Sequence, residues 1–322
     1  MTQAFNPPFY IRNAFAQTFL ASSKLGTKHK NPVLTHAREV ILNPVGDVRL
    51  QGFYSPQVDA KAKGVVMLLH GWEGSVNSAY ILRTGKFLYE SGFSIFCLNY
   101  RDHGETHHLN RGLFYAVLLD EVFGAVQQVS AYERALPFYL IGFSMGGNFA
   151  LRVARNAVQT PIPNLKHVFS ISPVLDPEKS TYAIDAYPFL QKYFRKKWSD
   201  SMRKKQALYP DLYNFNDVFP LKTIAEMTER MLQRYSPYPN PVDYFRAYAV
   251  TGEALAALST PTTVITAQDD PIIPAEDFHH LKLPPTAELI IQPYGGHNGF
   301  LESLSGKVWY EKKIKEKLLA SS

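Results

Sequence analysis

The chain is predicted to be an α/β protein, with a mostly parallel central sheet, helices on both of its faces and a helical segment inserted late in the chain. Three observations predict this. Uninterrupted apolar runs of strand length, such as Val65-Val66-Met67-Leu68-Leu69, suit strands buried on both faces, as in a parallel sheet. Between such runs, apolar residues recur at helical spacing, as in Ile81, Gly85, Leu88 and again in Leu118, Val122, Val126, Val129. From residue 176 to about 258 the alternation stops, and an aromatic, partly basic stretch with no good strand takes its place.

Taken in order, residues 1–34 are weakly patterned and form an N-terminal arm with a helix at Asn13 to Ser22. Arg38 to Leu42 and Val48 to Tyr54 read as an antiparallel hairpin around Asn43-Pro44-Val45-Gly46-Asp47. The strand at 64–69 runs into His70-Gly71, and the helix after it stops at Ser91-Gly92. Phe93 to Leu98 is the next strand, then the helix through Leu118 and Val129, then a strand from Phe138 to Ile141. A helix reaching about Ala157 and a strand at Lys166 to Ile171 complete a repeated β-α-β series with right-handed crossovers. Strands at Thr262 to Thr266 and Glu288 to Ile291 resume the sheet, and a helix from Trp309 to Leu319 closes it. The predicted division is an arm over 1–34, a first core part over 35–175, a cap over 176–258 lying across the C-terminal edge of the sheet, and a second core part over 259–322.

The 322 residues suffice for one large domain with an insertion, and 46% hydrophobic content is ordinary for a globular protein. A net charge of +6 is only mildly basic and, with no recognised module, argues against nucleic-acid binding. The single cysteine, Cys97, lies in an apolar run, reads as a core thiol and cannot form an internal disulfide, which favours a reducing compartment. No basic segment followed by a long apolar one opens the chain, and no stretch approaches the ~20 apolar residues of a membrane span. The expectation is a soluble, cytoplasmic protein. Peripheral membrane contact is expected, if anywhere, at 192–205, where seven basic residues and one acid interleave with Tyr193, Phe194, Trp198 and Met202.

The chemistry centres on Gly142-Phe143-Ser144-Met145-Gly146, where a buried strand turns abruptly into a helix at a serine between two glycines. Such a turn projects the hydroxyl beyond the sheet edge, and the glycines relieve crowding two residues to either side. A serine hydroxyl needs a base within hydrogen-bond reach, and the base needs an orienting acid. Two late strands lead into suitable loops, Ala267-Gln268-Asp269-Asp270-Pro271 and Gly295-Gly296-His297-Asn298-Gly299. Ser144, Asp270 and His297 would thus meet at C-terminal strand ends, where open α/β sheets place their ligands. Asp270 is preferred over its neighbour Asp269 because it directly precedes the Pro-Ile-Ile-Pro turn, and Asp176 is a third candidate that also reads as a helix N-cap. Backbone N–H groups of Met145, at a helix N-terminus, and of Trp72, in the loop after Leu69, are the expected oxyanion donors. His70 reads as structural. His103, His107 and His108 read as a polar loop near the mouth of the site rather than as metal ligands, and neither metal nor cofactor is expected.

In these motifs the chain resembles the α/β-hydrolase superfamily and, within it, the YheT-like group that includes lipid-associated ABHD-type esterases. The resemblance rests on Gln17-Thr18, on His70-Gly71-Trp72-Glu73-Gly74-Ser75, on Asn99-Tyr100-Arg101, on Gly142 to Asn148, on Asp269-Asp270-Pro271 and on Gly295 to Phe300. Phe15 stands where the arm of that group usually has a histidine, Trp72 replaces a more common leucine, and the middle insertion is larger. The resemblance implies the α/β-hydrolase fold, the chain order serine, acid, histidine, and cleavage of carboxylic esters through an acyl-enzyme on Ser144. The aromatic, apolar insertion leans toward medium-chain or lipid-like acyl groups as the small-molecule substrate. An alcohol could take the acyl group in place of water, making an acyltransferase. A non-catalytic binding protein on the same scaffold is the third reading, disfavoured because serine, acid and histidine are all present. Oligomeric state is left open by the sequence.

Overall fold

The computed structural model describes residues 5–24, 27, 29–58 and 61–320. Its sheet is built from β1 (Arg38–Leu42), β2 (Leu50–Ser55), β3 (Val65–Leu69), β4 (Ser94–Leu98), β5 (Phe138–Phe143), β6 (Leu165–Ile171), β7 (Thr262–Ala267) and β8 (Ala287–Gln292). The helices are α1 (Ala14–Ser22), α2 (Pro32–Thr35), α3 (Ala79–Glu90), α4 (Leu119–Ser130), α5 (Met145–Asn156), α6 (Pro177–Ala186), α7 (Pro188–Leu208), α8 (Ile224–Tyr235), α9 (Pro241–Tyr248), α10 (Glu276–His279) and α11 (Trp309–Ala320). The strands lie in the order β1-β2-β4-β3-β5-β6-β7-β8. β1 and β2 pair antiparallel, β2 meets β4 antiparallel, and β3 to β8 run parallel. This is the α/β architecture expected from the sequence.

The alternation of side chains along a strand distributes its residues between two cores. In β3, Val65, Met67 and Leu69 face a core shared with α4, α5 and the inserted helices, while Val66 and Leu68 face a second core under α3 and α11. In β5, Phe138 and Leu140 join the first core, and Tyr139, Ile141 and Phe143 the second. All five residues of β3 and all six of β5 are buried, which explains why these strands read as continuous apolar runs. Cys97 belongs to the second core, and burial pushes its thiol up to about 12, as suits an inert core residue.

The local signals of the helices are equally physical. Asn13 caps α1 by accepting from the N–H groups of Phe15 and Ala16, and Thr223 and Glu226 form a reciprocal capping box on α8. β2 begins at Leu50, two residues later than the sequence suggests, because Arg49 is diverted: its N–H donates to Asn110 Oδ1 at 2.9 Å rather than to a strand. Between β6 and β7 the described chain holds four helices, α6 to α9, and no strand. No described helix is long and apolar enough to cross a membrane.

One acid sits badly in the second core. Glu311 of α11 is 5% exposed, and its carboxylate accepts from Thr84 Oγ1 of α3 at 3.2 Å. Burial pushes this carboxyl from 4.5 up to about 8. The folded chain therefore holds a proton that the unfolded chain releases, so stability falls as pH rises from the unfolded value through the folded one. Glu311→Gln should match the wild type near pH 4 and gain on it progressively toward pH 9, by on the order of a few kcal/mol in denaturant melts. A stability difference that stays flat across this range would remove the argument.

Candidate active site

Strand β5 delivers Ser144 to the apex of a turn with φ 56° and ψ −118°, a left-handed conformation that an L-residue adopts only under constraint. A Cβ on Gly142 would run into the carbonyl oxygen of Gly146, and one on Gly146 into the carbonyls of Leu69 and His70, so both positions exclude any larger residue. The turn is tied down by Ser144 N–H donating to Ile171 O at 2.9 Å and by Asn148 N–H donating to Ser144 O at 3.0 Å. A Cβ built on Gly71 would stand 3.1 Å from Ser144 Cβ, which brings the loop after β3 against the serine.

His297 arrives from the opposite side, on the loop after β8. Its Nδ1 lies 2.9 Å from Asp270 Oδ2. A carboxylate only accepts, so Nδ1 carries the proton and Nε2 of the neutral ring is left as the base. The other oxygen of Asp270 accepts from the N–H groups of Ile272 at 2.8 Å and Ile273 at 3.0 Å. Asp269 reaches the same loop but not the ring: its Oδ1 accepts from Gly296 N–H at 2.9 Å. Asp176 is an N-cap, accepting from Glu178 and Lys179 at the start of α6.

Ser144, His297, Trp72 and Met145 line one cavity of about 310 Å³. Met145 opens α5, so its N–H has no intrahelical acceptor. Among the described residues, neither it nor the N–H of Trp72 donates to a protein acceptor. The Trp72 ring is both packing and wall: it stacks on Phe194 at 5.4 Å, meets Trp198 edge-on at 5.3 Å, and lines the cavity. The far wall is apolar, with Ile184, Leu190, Met202, Met231, Leu232 and Phe245 contributed by α6 to α9. Phe15, in the arm, packs edge-on against Tyr187 and Phe189 at the junction of α6 and α7.

Of the three histidines after β4, His103 lines the cavity, His107 is buried and His108 is exposed. His103 is 3% exposed with Nδ1 on Arg101 O, His107 is buried against Ser201 of α7, and burial lowers both, each to about 4. His70 is fully buried on Gly71 O, and burial lowers it well below the ordinary range. No group of three His, Cys, Asp or Glu among the described residues is arranged to hold a metal. The basic stretch 192–205 is also less basic in effect than in composition. Lys196 and Arg203 share Asp200, Lys204 pairs with Glu105 and Lys205 with Asp102, so three carboxylates face four of its seven cations.

Lys205 was not distinguishable from its neighbours in the sequence, yet it is 1% exposed. Its ammonium donates to Asp102 Oδ1 at 2.8 Å and to the carbonyls of Asn110 at 2.6 Å and Gly112 at 2.9 Å. Asp102 in turn accepts from Phe114 N–H at 2.9 Å. This caged pair fastens α7 to the loop after β4. Removing one partner strands the other charge in a dry site, so Lys205→Met should cost about 3–5 kcal/mol in chemical denaturation. Lys204→Met, which breaks only an exposed pair, should cost within about 1 kcal/mol.

With this geometry established, comparison with known proteins places the chain. Residues 64–304 match the family described as alpha/beta hydrolase fold, and the protein belongs to that family. Its sequence is similar to the putative esterase YheT of Escherichia coli, 24% identical over 84% of this chain and 81% of that protein. It is similar also to phospholipase ABHD3 of Mus musculus, 22% identical over 94% of this chain and 75% of that protein. Among solved structures, the esterase Pf2001 of Pyrococcus furiosus shares the fold with a TM-score of 0.58 at 16% identity, covering 100% of this chain and 98% of that one.

Proposed function

We propose that this protein is a serine hydrolase that cleaves carboxylic esters through an acyl-enzyme on Ser144. The observation that carries the reading is the 2.9 Å contact of His297 Nδ1 with Asp270, in a cavity shared with a serine held at a strained strand-to-helix turn. Relatives named as esterase and phospholipase support it.

In this mechanism Ser144 Oγ adds to the ester carbonyl as its proton passes to Nε2 of His297. Asp270 holds the ring in the required tautomer and stabilises the imidazolium. The N–H groups of Trp72 and Met145 receive the oxyanion, aided by the dipole at the start of α5. When the tetrahedral adduct collapses, the imidazolium gives its proton to the departing alcohol. Water then adds to the acyl-enzyme with His297 again accepting a proton, and the carboxylic acid leaves as that proton returns to Ser144. The acyl group lies along the apolar wall from α6 to α9, which acts as a cap.

A fluorophosphonate should label the wild type at Ser144 and leave Ser144→Ala unlabelled. Asp270→Asn should lower kcat by about 10⁴-fold with folding intact, as when a triad acid is neutralised. Asp269→Asn should retain most activity, since Asp269 holds backbone and not the ring. Equal damage from both substitutions would contradict this assignment.

A cavity of about 310 Å³ is at the small end of the ~300–1,000 Å³ typical of ligand sites. Across p-nitrophenyl esters of graded length, kcat/KM should therefore peak at medium acyl chains and fall for long ones. With a competing alcohol added, free acid should remain the main product; a transesterified ester as main product would mark an acyltransferase.

A further inference from the structure

We propose that the N-terminal arm is part of the catalytic apparatus, with Thr18 and Gln17 as positioning residues that hold the His297 loop in register with Ser144. The inference rests on the hydrolase reading above and extends it to a segment that precedes the residues matching the family.

Both side chains are polar, buried and aimed across the molecule. Thr18 is 7% exposed, and its Oγ1 accepts the backbone N–H of His297 at 2.9 Å. The hydroxyl proton is already given to Ala14 O at 2.8 Å, so a lone pair is the part of this group that faces His297. Gln17 is fully buried. Its Oε1 accepts from Leu301 N–H at 2.8 Å, while its Nε2 donates to Leu301 O at 3.2 Å and Ile11 O at 2.8 Å. A single amide thus satisfies both backbone groups of Leu301 and ties them to the arm.

The loop so held takes left-handed backbone on both sides of the histidine, with strain on the C-terminal side, where the residues are not glycine. Gly296 has φ 52°, Asn298 φ 60° and Phe300 φ 50°, and two of these three are not glycine. Backbone of this kind persists only where its surroundings over-determine it. Those surroundings are largely α1. A Cβ on Gly296 would meet Ala14 O and the Thr18 hydroxyl, and one on Gly299 would meet the Gln17 side chain. Other ties are Asp269 on Gly296 N–H, Ser172 on Asn298 N–H at 3.2 Å, and the N–H groups of Gly299 and Phe300 donating to Gly295 O at 3.2 Å each. Of the backbone N–H groups at positions 296 to 298, the central one, that of His297 itself, is held by the arm. Losing it frees the ring to shift along its Asp270 contact, and a displacement of about 1 Å is worth up to ~100-fold in rate.

The test uses the full chain. Thr18→Val keeps shape and removes the acceptor, whereas Thr18→Ser keeps the acceptor. Thr18→Val should label with a fluorophosphonate, and turn over ester, about 10–100-fold more slowly than wild type, with KM within about two-fold. Thr18→Ser should recover the rate to within about three-fold. Thr18→Cys, with a weaker acceptor of similar size, should fall between them and serves as the second variant if Val does not fold. Wild-type rates in the Val or Cys variant overturn the positioning role while leaving the hydrolase reading intact. Losses that track only the fraction of folded protein overturn it as well. If the wild type is not labelled at all, the hydrolase reading fails and takes this role with it.

Discussion

The site depends on how closely the backbone at the ends of β3 and β5 can approach. Gly146 touches the carbonyls of Leu69 and His70, Gly142 touches Gly146, and Gly71 stands against Ser144. No side chain fits into that contact. By closing it, the fold places the serine, the first N–H of α5 and the loop 70–74 against one another in a single step. The cost is the left-handed backbone of Ser144, about 1–3 kcal/mol. Two backbone hydrogen bonds and two fully buried strands offset it. Because β3 and β5 are adjacent and parallel, with Leu69 opposite Gly142, their loops leave the sheet at the same level, and neither can shift without breaking the register of the other.

Much of this is legible in the amino-acid sequence alone. Strands buried on both faces write themselves as apolar runs, and for that reason the sequence places β3, β4 and β5 within a residue or two of their bounds. The turn at Ser144 was visible because its geometry admits glycine alone at two fixed positions. The loops carrying Asp270 and His297 could be found because each follows a strand. What separates Asp269 from Asp270 was less legible, since two adjacent carboxylates differ only in the direction each takes from the chain. Lys205 left no trace at all: among seven basic residues, only the three-dimensional path of the loop after β4 makes one of them a buried ligand of three oxygens. The sequence pattern could not report the burial of His103 and His107 either, because it depends on α7 crossing over them.

The inserted helices are attached to the sheet by polar contacts as well as apolar ones. Lys205 is caged by Asp102 and two carbonyls, Lys197 donates to Glu73 O at 3.0 Å, and Ser201 lies on His107. All three come from α7 and reach loops that follow β3 and β4. Buried ionic contacts of this type add little net stability compared with apolar packing, but they admit few alternative arrangements. The apolar side chains of the cavity wall come from α6 to α9, and these helices are tied to the rest of the fold by further polar contacts, Tyr115 Oη donating to Tyr235 O and Asn148 Nδ2 to Tyr248 O, each at 2.8 Å. The side of the cavity next to Trp72 is set by the polar contacts of α7, and the wall of Ile184, Leu190, Met202, Met231, Leu232 and Phe245 by apolar packing. Side chains of that wall can change size without leaving a charge unpaired.

The pair Asp269-Asp270 shows how the loop chemistry divides. Pro271 has no N–H, so the next donors available to the Asp270 carboxylate are those of Ile272 and Ile273, and both bind the same oxygen. That oxygen is thereby occupied from one side, and the remaining one points at His297. Asp269 has no equivalent turn ahead of it; it takes the Gly296 N–H and braces the loop from the sheet side. One carboxylate orients the ring and the other holds the backbone that carries it. The exchange of roles is blocked by the proline. Moving the ring contact to position 269 would leave the N–H groups of Ile272 and Ile273 facing a side chain that no longer needs them, and the N–H of Gly296 without its acceptor. The order of the two acids therefore follows from the turn that comes after them.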